Sequence, residues 1–435
     1  SLRYLVRGVK TAALVRKLGY KFVNAVFKQK YYHSGGIFMR PEYAKAMKDL
    51  KGSPIREILK LCNDPDIVPL GGGSPAPELF PYEQLAEIAK KALLETPKLA
   101  LQYGPTEGYQ PLRDAVKKRL EESYGLNTDG QEVIISSGGQ QSIDIAAKCF
   151  LEYGDEIIVE EPSFVGALNS FRAYGAVLRG VPLESDGADV NAVEDILKKP
   201  NKVKLIYIIP NFQNPTGVTT SVEKRIKICE LAEKYGVMVI EDDPYGELAF
   251  DGKKLPAIKS FDKSGNVIFC SSFSKILAPG LRLGFALAPA DVLKKMAIAK
   301  QTEDVHAAMI AQLMAYGFMR EYDINALIEK MRALYRRKCG VLIDSLDEYF
   351  GDEITHTSPR GGLFAWCDFG HGINTFELAK KAIEKKVAFV PGNSFYVDIS
   401  VPRSTLRLNF SSATDERIKL GIKRLYDVFK EEITR

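Results

Sequence analysis

A chain of 435 residues, 46% hydrophobic and 26% charged, has room for two or three domains around a large core. That excludes a peptide hormone, a small disulfide scaffold or a lone DNA-binding module. A composition near the globular average excludes a disordered chain, and no apolar run approaches the roughly 18 residues that span a bilayer.

The formal charge of +5 is unevenly placed. Arg3, Arg7, Lys10, Arg16, Lys17, Lys21, Lys28, Lys30 and Arg40 all precede the first acid, Glu42. With those nine set aside, the remaining 51 basic residues face 55 acidic ones, so the body of the chain is mildly acidic. Nothing in that balance favours nucleic acid as a partner.

Residues 1–38 read as a separate basic extension. Leu2, Leu5, Val6, Val9 and Ala13 stand at helical spacing, which suits an amphipathic anchor or an organellar transit peptide. Met39 is the first methionine, and a dispensable or disordered arm is the other reading. Cytoplasmic residence is the expectation, with organellar targeting by this arm the alternative.

From residue 82 onward, helical stretches alternate with short, almost wholly apolar runs at 133–136, 156–160, 177–181, 204–209, 237–241, 267–271 and 283–287. Strands buried on both faces of a parallel sheet have that character. The turn residues Asn214, Pro215 and Gly217 precede an amphipathic helix at 222–235. The fold class is therefore α/β, with a mostly parallel seven-stranded sheet in a large domain over 82–304. Beyond 305, longer helical patterning, short strands near 362–368 and 406–410, a helix at 375–386 and a closing helix at 414–434 indicate a smaller α+β domain. Residues 39–81 complete that domain, which spans 305–435.

In doubly wound sheets, ligands bind past the carboxyl ends of the strands. Past the first strand, Ser137-Gly138-Gly139-Gln140-Gln141 opens a helix whose free N–H groups suit a phosphate, although an ordinary glycine turn reads the same way. GxGxxG and GxxxxGK[ST] are both absent, which counts against a dinucleotide site or a P-loop. Six scattered cysteines without a CxxC pair and four histidines without metal spacing give no metal site. Glu241-Asp242-Asp243-Pro244-Tyr245 places carboxylates and a phenol at one strand end. Ser272-Phe273-Ser274-Lys275, followed by Arg282, places an amine at another. A lysine directly after an apolar strand is a candidate desolvated nucleophile, and a solvated strand end is the plainer reading. Together these residues meet the needs of pyridoxal 5′-phosphate: a Schiff-base lysine, a carboxylate for the pyridinium nitrogen and a phosphate cup.

Asn214-Pro215-Thr216-Gly217, Asp242-Asp243-Pro244-Tyr245, Ser272-Phe273-Ser274-Lys275, Gly280-Leu281-Arg282-Leu283-Gly284 and Arg407 resemble the class I/II aminotransferases of fold type I over essentially residues 45–435. Ser53-Pro54-Ile55-Arg56, Gly392-Asn393-Ser394-Phe395-Tyr396-Val397-Asp398 and Arg407-Leu408-Asn409-Phe410-Ser411-Ser412-Ala413 are most similar to the kynurenine/2-aminoadipate and archaeal aromatic subgroup.

The resemblance implies roles residue by residue. Lys275 would hold the cofactor and shuttle the substrate proton, and Asp242 would keep the ring nitrogen protonated, with Asp243 the competing carboxylate. Asn214 and Tyr245 would bond the ring oxygen. Gly139, Gln140, Ser272, Ser274 and Arg282 would hold the phosphate, and Phe164, where many relatives carry Tyr, would stack on the ring. Arg407 would grip the substrate α-carboxylate and Gly73 would let backbone approach the substrate, while Arg56 would reach its distal group. Tyr103 would reach the phosphate of a neighbouring subunit, making the molecule a homodimer.

The implied activity is transfer of an amino group between 2-aminoadipate, kynurenine or an aromatic amino acid and a 2-oxo acid such as 2-oxoglutarate, by a ping-pong mechanism. A carbon–sulfur β-lyase on the same fold is the alternative. A non-catalytic cofactor-binding regulator would want a winged helix that residues 1–38 are too short to supply.

Overall fold

The structure is a computed structural model that describes residues 31–33, 36–38, 41–50 and 64–434; Arg56 falls outside them. The chain divides into two compact units, Ser1–Asp49 and Leu50–Arg435. In the first, strands Tyr31–His33 and Gly36–Phe38 pair antiparallel, and a short helix covers Lys45–Asp49.

In the second unit the aliphatic runs are enclosed. Ile134, Ile157, Val159, Leu205, Ile206, Val239, Ile240 and Ile268 have no solvent contact, and each such side chain contributes about 1.5–3 kcal/mol by leaving water. They belong to a sheet ordered Gln131–Ser136, Gly284–Pro289, Val267–Ser272, Met238–Asp242, Val203–Ile208, Glu156–Glu161, Val177–Glu184 and Gly187–Ala188. The five strands from Val267–Ser272 to Val177–Glu184 are mutually parallel. Helices such as Val222–Tyr235, capped by Ser221, supply the crossovers that parallel pairing requires.

Two features go beyond the sequence reading of a mostly parallel, seven-stranded sheet. Gly284–Pro289 runs antiparallel to both neighbours, because only a turn and one short 3₁₀ segment separate it from Val267–Ser272. The sheet also has eight strands rather than seven. Val177–Glu184 lies toward the edge with half-exposed side chains, so its last three residues escape an apolar-run search, and they pair with Gly187–Ala188 through Leu183 and Glu184.

A second, antiparallel sheet is ordered Thr355–His356, Phe364–Asp368, Thr405–Asn409 and Val390–Pro391. Helices Ile324–Phe350 and Asp415–Ile433 pack on each other, with the Phe350 and Phe429 rings 5.3 Å apart. Val68–Pro69 pairs with Val387–Ala388, and the Asn409 amide donates to the Leu70 carbonyl at 2.7 Å. Those bonds bring the glycine run at 71–73 beside the strand that carries Arg407. Among the described residues, no helix is long and apolar enough to cross a membrane.

Candidate active site

Asp242 is the last residue of its strand and stands in register with Cys270 on the neighbouring strand, Val267–Ser272. Just past the end of that neighbour, Lys275 sits in the turn after Ser272. The two strand ends therefore place a carboxylate and an amine in one region. Asp242 is only 5% exposed, and the Tyr207 hydroxyl donates to its Oδ2 at 2.7 Å. Burial pushes the Asp242 carboxyl up to about 7, with the charge of Asp243 adding to it and Tyr207 and Lys275 opposing. Asp243 turns elsewhere: it accepts from the Gly246 amide at 2.8 Å, and its other oxygen has no hydrogen-bond partner among the described residues.

Lys275 Nζ donates to the Gly73 carbonyl at 2.6 Å and lies 6.0 Å from the Tyr245 ring centre. Burial, then the positive charges of Arg407 and Arg282, pull the amine down to about 8 against the attraction of Asp242. An amine so placed is partly neutral, and so nucleophilic, near physiological pH. Tyr245 is buried and meets Phe364 edge to face at 5.9 Å.

Arg407 donates through Nη1 to Asn214 Oδ1 at 2.7 Å and through Nη2 to the Gly71 carbonyl at 2.9 Å. Its guanidinium carbon sits 4.2 Å from the Phe364 ring centre and 5.1 Å from that of Phe395. The buried Nε has no hydrogen-bond partner. Burial draws this arginine down to about 10, so it stays cationic at neutral pH.

A third group gathers at the N-terminus of helix Gly139–Phe150. Its first amides lack carbonyl partners four residues back. Gly138 takes a left-handed φ of 91°, and an added Cβ there would stand 2.3 Å from Arg282 Nη2. A Cβ on Gly139 would touch Ser272 at 3.4 Å, and one on Gly284 would lie 2.5 Å from the Gly139 nitrogen. The Ser272 hydroxyl donates to the Leu283 carbonyl at 3.1 Å and accepts from the Ser274 amide at 3.0 Å. Arg282 makes only long contacts, 3.4 Å each, to the Pro279 and Ser137 carbonyls. Helix amides, the Ser272 hydroxyl and a guanidinium thus converge, as an anion site requires.

Other expected residues are not drawn into this cluster. The Gln140 side chain donates to the Gly166 carbonyl at 3.1 Å and to Ser170 Oγ at 2.9 Å, which leaves only its backbone toward the helix N-terminus. The Phe164 ring and the Gln140 amide both crowd Gly166, where an added Cβ would lie 2.4 Å from each. Tyr103 is 82% exposed and touches the His306 ring edge at 5.8 Å. Tyr207, Gly71, Phe364 and Phe395 were not singled out from the sequence. A tyrosine inside the apolar run at 204–209 carried the one available hint, since a buried hydroxyl needs an acceptor.

The family model for aminotransferase class I and II matches residues 66–425. The chain belongs to the class I and II aminotransferases. It is 38% identical over 390 residues to aromatic-amino-acid aminotransferase 1 of Thermococcus litoralis, covering 89% of this chain and 93% of that one. A solved kynurenine aminotransferase of Pyrococcus horikoshii, in complex with PMP, is similar at 37% identity with a TM-score of 0.86, covering 90% and 97% of the two chains. LysN, the alpha-aminoadipate aminotransferase of Thermus thermophilus, complexed with N-(5′-phosphopyridoxyl)-L-leucine, matches at 36% identity and a TM-score of 0.83, covering 90% and 98%.

Pyridoxal phosphate is the cofactor of this aminotransferase. The residues present fit it on chemistry alone. A buried carboxylate with one hydroxyl partner favours a cationic N–H beside it, a lowered amine suits linkage to an aldehyde, and the helix N-terminus suits a phosphate. Pocket backbone at 71–73 approaches both the amine and the guanidinium.

Proposed function

We propose that this aminotransferase exchanges an amino group between 2-aminoadipate, kynurenine or an aromatic amino acid and a 2-oxo acid such as 2-oxoglutarate. The two half-reactions share one site in ping-pong order, within a cytoplasmic homodimer. The observation that carries the reading is a single strip of backbone: Gly73 accepts from Lys275 at 2.6 Å and Gly71 accepts from Arg407 at 2.9 Å. A base and a carboxylate anchor are thereby tied to the same short stretch of backbone, as an α-amino acid needs.

The bound cofactor supplies an electron sink for the bond at Cα. The chain supplies the rest. Arg407 grips the α-carboxylate with its planar fork and so orients the Cα–H bond. Lys275 Nζ, first the attachment point of the cofactor, moves the proton at Cα. Asp242 keeps the ring nitrogen protonated, while Asn214 and Tyr245 bond the ring oxygen. Gly139 and Gln140 through their amides, Ser272 and Ser274 through their hydroxyls, and Arg282 through its guanidinium hold the phosphate. Phe164 covers the ring, Gly73 leaves space for substrate, Arg56 reaches the distal group, and Tyr103 serves the partner subunit's phosphate. The exposed position of Tyr103 supports that last assignment, and the names of the similar aminotransferases support the donor class.

The test is a panel of amino donors assayed with 2-oxoglutarate, with initial rates measured at several concentrations of each. Parallel double-reciprocal lines with at least one of the three donor classes are expected. Intersecting lines, or turnover with none of the three, would overturn the reading.

A further inference from the structure

Tyr207 is fully enclosed in strand Val203–Ile208, opposite Ile240 in register, and so shares a sheet face with Asp242 two residues further along. Its ring meets Phe171 edge to face at 5.4 Å, which fixes where the hydroxyl points. That hydroxyl donates to Asp242 Oδ2 at 2.7 Å, the length of a strong bond to a carboxylate. Burial and the neighbouring carboxylates hold the Tyr207 phenol well above its usual range, so it stays a donor at any working pH. Glu160 does not compete as an anion. Burial pushes it up to about 8, and it accepts from the Ile209 amide at 3.1 Å and from Gln213 at 3.2 Å.

We infer that Tyr207 is a positioning residue of this aminotransferase: its hydroxyl holds Asp242 by one oxygen, leaves the other for the cofactor ring, and keeps the shared proton on the ring nitrogen. This rests on the reading that Asp242 lies beside that nitrogen. The physical argument is a competition for one proton in a dry site. A carboxylate that accepts an extra hydrogen bond is a weaker base, so the proton remains on nitrogen. Remove the donor and the carboxylate becomes the stronger base, and the charged pair collapses toward a neutral one.

The direct readout is the nitrogen-15 resonance of ring-labelled pyridoxal phosphate in the loaded enzyme, which distinguishes a protonated from an unprotonated nitrogen without any turnover. Tyr207→Phe is expected to move it toward the unprotonated position and to weaken cofactor binding roughly ten- to hundredfold, the usual effect of losing a hydrogen bond to a charged group. Incorporating 3-fluorotyrosine at position 207 keeps the shape and strengthens the donor, so it should leave the nitrogen protonated to higher pH than in the native enzyme. That second variant keeps the test open if Tyr207→Phe folds poorly. Asp242→Asn serves as the reference. If it moves the resonance while both changes at 207 leave it fixed, the role of Tyr207 is overturned and that of Asp242 stands. If none of the three moves it, the Asp242 reading fails and takes this inference with it.

Discussion

Arg407 and Asn214 are directly bonded, Nη1 donating to Oδ1 at 2.7 Å. The first comes from the antiparallel strand Thr405–Asn409 and the second from the loop after the parallel strand Val203–Ile208. One hydrogen bond therefore registers the proposed substrate anchor against the residues that would flank the cofactor ring. Arg407→Lys keeps a charge but loses the second donor that reaches Gly71. Steady-state kinetics should show kcat/KM for the amino donor falling about 100-fold, while the bound cofactor's absorbance is retained. Unchanged kcat/KM would remove Arg407 from substrate binding.

The amine of Lys275 is drawn down to about 8 by burial and by Arg407 and Arg282. Below that pH it is protonated and cannot attack an aldehyde; above it the neutral form dominates. Uptake of pyridoxal phosphate by the apoenzyme should accordingly rise with pH and reach half its plateau rate near pH 8. Stopped-flow absorbance measures this directly. A rate still climbing steeply at pH 10 would mean an ordinary exposed lysine is the acceptor.

Much of this arrangement was legible in the chain because its chemistry interrupts apolar runs. Asp242 ends a buried strand and Lys275 closely follows one, where polar residues announce themselves against aliphatic neighbours. Tyr207 was not legible, since a tyrosine within Val203–Ile208 reads as core until its hydroxyl partner is known. Gly71 and Arg407 stand 336 positions apart, and no local pattern couples them. The Gln140 side chain misled for a related reason: its place beside a helix N-terminus is readable, but its rotation toward Gly166 and Ser170 is set by another helix. Strand direction was the other gap, because an apolar run looks alike whichever way Gly284–Pro289 enters the sheet.

Gly284 lets strand Gly284–Pro289 pass against the start of helix Gly139–Phe150. An added Cβ would stand 2.5 Å from the Gly139 nitrogen, 2.6 Å from the Gly138 carbonyl carbon and 2.8 Å from the Ser271 carbonyl oxygen. All three are backbone atoms with little freedom to yield. Gly284→Ala should destabilise the apoenzyme by about 1–3 kcal/mol, seen as a lower midpoint in thermal unfolding, and should weaken cofactor binding with it. A stable variant with native affinity would contradict the close contact.

If Tyr103 completes the partner subunit's site, two damaged chains can repair each other. In a mixture of Lys275→Ala and Tyr103→Ala subunits, each heterodimer has one site with Lys275 from one chain and Tyr103 from the other. After random exchange, activity should recover to about a quarter of native, since half the dimers are mixed and each has one intact site. No recovery, in a mixture shown by mass spectrometry to contain heterodimers, would place Tyr103 outside the partner's site.

The most direct test of the central claim asks which amine carries the cofactor. Reduction of the loaded enzyme with borohydride, followed by peptide mapping, should recover the pyridoxyl group on the peptide bearing Lys275 and on no other. A pyridoxyl group on a different lysine, or none at all after reduction of a yellow enzyme, would contradict the account.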